Sequence, residues 1–102
     1  MGQHATEYTI NDVDTHVTED PGVFIDRVPT SMRDRVPYVK PDRRGRDTWF
    51  LGDKRMGGAG LTATAGRGDM MEWPATYDDM HPAAHNADAR LAYMDEMGIW
   101  SM

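Results

Sequence analysis

The feature that most constrains this fold is where its regular segments lie. The β-formers Tyr8, Thr9, Ile10, Val13, Thr15 and Val17 gather in residues 8 to 17 and predict a strand there. The clearest helical pattern is far away, over 87 to 97. There Ala87, Leu91, Met94 and Met97 recur at spacings of four, three and three. Asn86 is a suitable N-cap, Asp88 favours the positive end of the helix, and Gly98 suits the position just past its C-terminus. Ile99-Trp100-Ser101-Met102 then starts a second strand. A strand, a crossover holding a helix and a further strand make a βαβ unit, which needs more parallel strands and covering helices. The layout therefore predicts an α/β chain that opens a larger fold.

Between these segments the pattern is weaker. Asp20 and Pro21 predict the start of a short helix over Gly22 to Val28, ended by Pro29. Another turn is expected at Ser31 to Arg35, before Pro37. Tyr38-Val39 and Thr48 to Leu51 read as short strands, with Gly52-Asp53 turning into Lys54-Arg55-Met56. Gly57-Gly58-Ala59-Gly60 and Gly66-Arg67-Gly68 read as flexible backbone, since neither has the spacing of a phosphate-binding loop. Residues 71 to 85 read as a connector whose Trp73, Tyr77 and Met80 pack onto another element. His81 and His85 stand four apart, a metal-pair spacing on a helix, but Pro82 and Asn86 place them ahead of a helix. Residues 1 to 7 read as a polar tail, and the loose myristoylation pattern of Gly2 and Thr6 is one that arises often by chance.

Composition narrows the partners. The net charge of -6 argues against nucleic acid. Eight of the eleven basic residues nevertheless fall between Arg33 and Arg55, against four aspartates, a local excess of four positive charges. That segment is either a solvated loop or a patch attracting a carboxylate substrate or an acidic surface. Cysteine is absent, which excludes disulfides and thiolate metal sites. No apolar run approaches the ~20 residues of a membrane span, and the N-terminus lacks the regions of a signal peptide. The expected address is the cytoplasm. Hydrophobic residues are 39% of the chain, nine of them methionines, and they gather at the two ends. A chain of this size normally buries about 60 to 65% of its unfolded surface; this one is expected not to do so alone.

The candidate site is Asp14-x-His16. Strand residues two apart share a face, so Ile10, Asp12, Asp14 and His16 are expected on one side. Charged groups on an interior strand are costly unless paired or bound to metal. A carboxylate and an imidazole at a strand end can converge on one divalent ion, but two ligands are not a complete site. A calcium loop is a poor fit: its sixth position would be Val17 rather than glycine, and its twelfth Val23 rather than glutamate. The bland alternative is a non-catalytic fragment or interaction domain in which Asp14 and His16 form a buried hydrogen-bonded pair.

The run Ile10-Asn-Asp-Val-Asp-Thr-His-Val-Thr-Glu19 resembles the first strand of the metal-dependent amidohydrolase superfamily. It is most similar to the amidohydrolase-related branch that includes aminocarboxymuconate-semialdehyde decarboxylase and γ-resorcylate decarboxylase. Asn86 to Ile99 resembles that branch's first helix and its turn into strand two, through Arg90-Leu91, Met94-Asp95 and Gly98-Ile99. The two matches cover about a quarter of the chain. The resemblance implies the N-terminal βα portion of a TIM (β/α)8 barrel. Its expected parts are a tail at 1–7, strand 1 at 8–17, a long irregular insertion at 18–85, helix 1 at 86–98 and the start of strand 2 at 99–102. Asp14 stands where the superfamily commonly has the first His of His-x-His, and His16 matches the second; the decarboxylase branch carries an acidic residue there. Both are carried over as ligands of a divalent metal, zinc or manganese. Glu19 is either a residue that orients a ligand or part of the following helix. The remaining ligands and the catalytic acid or base are expected beyond Met102, so the 102-residue chain is expected to be inactive alone. The implied activity is metal-dependent hydrolysis or decarboxylation of a small carboxylated or carbonyl substrate, with a homo-oligomer open for the full-length protein.

Overall fold

The computed structural model describes residues 8–64 and 72–102. The expected tail at 1–7 and the Gly66-Arg67-Gly68 stretch lie outside the described residues. Among the described residues five strands form two sheets, accompanied by one α-helix. Strands β2 (Tyr38–Pro41), β3 (Asp47–Leu51) and β4 (Lys54–Gly58) make an antiparallel meander. Strand β1 (Ile10–Asn11) pairs in parallel with β5 (Ile99–Ser101), and helix α1 (Ala87–Met97) leads directly into β5.

This corrects the expectation of a TIM-barrel portion. A barrel's strands are all parallel, each followed by a helix. Here three of the five strands are antiparallel neighbours joined by tight turns, and the described residues hold one α-helix. The cause lies in the turns. Asp42 accepts hydrogen bonds from the Arg44 and Arg46 amides at 2.8 and 3.0 Å, folding β2 back onto β3. Gly52, at φ 61°, supplies the left-handed residue that the β3–β4 turn requires. Residues 38–58, within the expected irregular insertion, therefore form a sheet in their own right.

The meander contributes Phe50 and Thr48 to a small core that also includes Ala59, Met80 and Ala83. Thr48 is fully buried and its hydroxyl donates to the Arg46 carbonyl at 2.8 Å. Phe50 is 9% exposed and stacks on Tyr38 with ring centroids 6.1 Å apart. Asp47 ties the 72–80 segment to this sheet. Its amide donates to the Ala75 carbonyl at 2.7 Å, and its carboxylate accepts from the Tyr77 amide at 2.9 Å. The Asp47 carbonyl accepts from the Ala59 amide at 2.9 Å. Met80 is buried and Tyr77 donates to the Glu19 carbonyl at 2.7 Å, so both pack onto other elements as their composition predicts.

The 57–60 glycines are not a flexible loop. Gly57 and Gly58 belong to β4, and a Cβ at Gly60 would collide with the Pro74 carbonyl. Close backbone approach explains Gly60 better than conformational freedom.

Two other expectations change. Residues 20 to 27 form successive turns, through Val23 to Asp20, Asp26 to Gly22 and Arg27 to Phe24 hydrogen bonds, instead of a helix. Strand 8–17 contracts to Ile10–Asn11. The Asp12 carboxylate takes the Asp14 amide at 3.0 Å, which a strand would have offered to a neighbour. The helix matches the expected span: the Asn86 side chain accepts from the Ala89 amide at 2.8 Å, and Gly98 adopts φ 73°. Its buried face does not match. Ala87, Leu91 and Met97 are exposed, and α1 packs through Ala89, Arg90, Tyr93 and Met94.

Candidate functional site

Asp14 and His16 lie just past the carboxyl end of β1. The Asp14 Oδ1 to His16 Nε2 distance is 3.9 Å, with the side chains 95% and 63% exposed. The pair is thus neither buried nor within hydrogen-bond reach. It lines a cleft of about 490 Å³ with Asp12, Thr15, His81 and Tyr93. Asp12, Asp14, Thr15 and His16 all line this cleft, so the strict alternation of a strand does not hold through the segment.

What holds the segment is Arg90, near the start of α1. Its Nη2 donates to the His16 carbonyl at 2.6 Å, its Nη1 to Thr15 Oγ1 at 3.2 Å and its Nε to the Ala83 carbonyl at 2.8 Å. A single guanidinium thus joins the helix, the 82–84 turn and the candidate ligands, using the fixed fork geometry of arginine. The Thr18 amide adds a bond to the Ala84 carbonyl at 2.7 Å. Arg90 carries no assigned role in the sequence reading. Its signal was its place: a cation in the first turns of a helix opposes the dipole and needs a partner.

The two downstream histidines diverge. His81 Nδ1 accepts from the Ala83 amide at 3.1 Å, which leaves the proton of the neutral ring on Nε2, and the ring meets Tyr93 edge-on. His85 Nδ1 lies 3.2 Å from Asp20 Oδ1, and its ring meets Tyr77. Burial, then the carboxylates of Glu19, Asp47 and Asp20, push the Tyr77 phenol far above its ordinary range, so it stays a donor. Glu19 offers its carbonyl to that phenol. Among the described residues no group of three or more His, Cys, Asp or Glu side chains is placed to hold a metal ion.

The donor chemistry of the pair does fit one. Two ligands at zinc distances on a tetrahedral ion stand about 3.3 Å apart. At 3.9 Å the pair stands somewhat wider than that, with both side chains open to solvent.

A second cleft, of about 1010 Å³, lies against the meander and the 72–79 segment. It gathers Lys40, Arg43, Arg44, Arg46 and Arg55, five of the eight clustered basic residues. The Arg44 and Arg46 amide bonds lower the Asp42 carboxyl below its ordinary value, the Arg46 amide most, with Arg55 Nη2 at 3.9 Å adding attraction.

No protein-family model matches the chain, and no curated protein matches it. Among the described residues no helix is long and apolar enough to cross a membrane.

Proposed function

We propose that this chain contributes Asp14 and His16 as two ligands of a divalent ion, zinc or manganese, in a metal-dependent hydrolase or decarboxylase of the amidohydrolase-related kind. The observation that carries the reading is the open pair itself: a carboxylate and an imidazole 3.9 Å apart, exposed, with the His16 carbonyl held by Arg90. The resemblance of residues 10–19 and 86–99 to that superfamily supports it. Asp14 and His16 supply two of the ligands such a site needs and do not complete it. A bound ion would activate water or orient a substrate carboxylate or carbonyl. Within this chain, Asp14 and His16 offer a carboxylate and an imidazole donor, and Arg90 holds the Thr15 hydroxyl and the His16 carbonyl beside them. The substrate is a small carboxylated or carbonyl compound, and the compartment is the cytoplasm, a reading consistent with a cysteine-free sequence.

The test is calorimetric titration with zinc. Two ligands predict weak binding that His16→Ala removes and His85→Ala leaves in place. Binding unchanged in His16→Ala would overturn the assignment; tight stoichiometric binding lost in that variant would show a site already complete in this chain.

A further inference from the structure

The larger cleft is a second, separate feature, with no lining residue in common with the Asp14–His16 cleft. We propose that it binds a small anion bearing two or more negative charges, whose carboxylate or phosphate oxygens meet Arg43, Arg44 and Lys40.

The argument starts from charge. The five basic side chains of the cleft face three acidic ones, Asp42, Glu72 and Asp79, in a chain whose net charge is -6. Two of those carboxylates already serve the local backbone and side chains. Asp42 holds the β2–β3 turn, and Asp79 Oδ2 accepts from Thr76 Oγ1 at 3.1 Å. Arg55 pairs with Asp42 at 3.9 Å, whereas Lys40 and Arg46 are positioned by neutral groups. Lys40 Nζ sits 4.5 Å from the centre of the Phe50 ring. Arg46 lies over Trp73 at 5.6 Å and donates to the Trp73 carbonyl at 3.0 Å. Aromatic faces and a carbonyl orient a cation while leaving its charge available. The side chains of Arg43 and Arg44 make no ion pair among the described residues.

Size and geometry select a small ligand. The volume suits a small molecule. Planar guanidinium forks favour carboxylate and phosphate oxygens over a lone halide.

The test follows backbone amide NMR shifts of the chain titrated with citrate, with pyrophosphate and with acetate at constant ionic strength. Saturable shifts at residues 40–46 and 55 with citrate or pyrophosphate, and not with acetate, are expected. A response to citrate alone assigns carboxylates, one to pyrophosphate alone assigns phosphate esters, and a response to both assigns the shared oxyanion geometry. In a double variant, Arg43→Ala with Arg44→Ala, the affinity should fall at least ~10-fold, the loss of two charge-assisted contacts. The pair Arg33→Ala with Arg35→Ala removes the same charge outside the cleft and should keep the affinity. No saturable shift with either oligoanion, an equal response to acetate, shifts centred away from the cleft, or equal loss in both double variants would overturn the proposal. Metal binding at His16 is read separately, so either proposal can fail alone.

Discussion

The meander and the parallel seam are built on opposite principles. In the meander, β2, β3 and β4 follow one another within about twenty residues, and every pairing is closed by a short turn. Local closure costs little entropy, and Thr48 and Phe50 add buried contacts. In the seam, Ile10 meets Ile99 across most of the chain, over strands of two and three residues. Few apolar side chains are buried there: Val13 is 95% exposed, Trp100 77% and Leu91 60%. Polar ties hold the seam instead, chiefly Arg90, the Asp12 amide to Ser101 carbonyl bond at 2.8 Å and Ser101 Oγ to Asn11 Oδ1 at 2.6 Å. One region is stabilised by packing, the other by a few directional bonds, and the candidate metal pair sits in the second.

That contrast predicts a graded set of effects. Phe50→Ala should cost about 3 kcal/mol in denaturant unfolding, by removing the ring that Tyr38 and Lys40 cover. A loss well under 1 kcal/mol would mean that the meander is not held by its core. Arg90→Ala should cost about 2 kcal/mol, from several charged hydrogen bonds lost together. Hydrogen exchange should then quicken at Asp12, Asp14 and Thr18 and stay slow in β3. Equal acceleration in both regions would erase the distinction between them.

Much of the seam's helix was legible because its signals are local. Asn86, Asp88 and Gly98 mark the ends of α1 without reference to anything else in the chain. The short strands at Tyr38, Thr48 and Lys54 and the turn at Gly52 were legible for the same reason. That they close into one sheet depends on Asp42 capturing the Arg44 and Arg46 amides, which no strand pattern encodes. The strand at 8–17 misled because its β-formers are real while Asp12 competes for the ladder. The helix stripe misled as well: Leu91 has the right spacing, yet the face that packs is the one bearing Arg90 and Tyr93. At the site, Asp14 and His16 stand 3.9 Å apart without the strand alternation their spacing predicted, and the guanidinium beside them could be placed only in three dimensions.

Smaller effects sharpen the comparison. Asn86→Ala should cost about 1 kcal/mol through the lost cap on α1. Circular dichroism should show a reduced helical signal in that variant, and an unchanged melting curve would mean that the cap contributes nothing. The smallest effect is titration of Asp42. Its carboxyl is lowered in the folded protein, so its contribution is present above the ordinary value of 3.8 and is lost as pH falls through the lower folded value. In acid, melting of the meander should therefore drop with pH in the wild type and less steeply in Asp42→Asn. Parallel pH curves for the two proteins would show that Asp42 does not hold its turn through charge.

The account's central claim is that Asp14 and His16 form the open half of a metal site. Paramagnetic broadening by a low concentration of Mn²⁺ tests it most directly, because it reports which residues approach the ion. The account predicts early, selective loss of the Asp14, Thr15 and His16 resonances, abolished by His16→Ala. Broadening centred on Asp78 and Asp79, or spread evenly over the acidic residues and unaffected by that substitution, would contradict it.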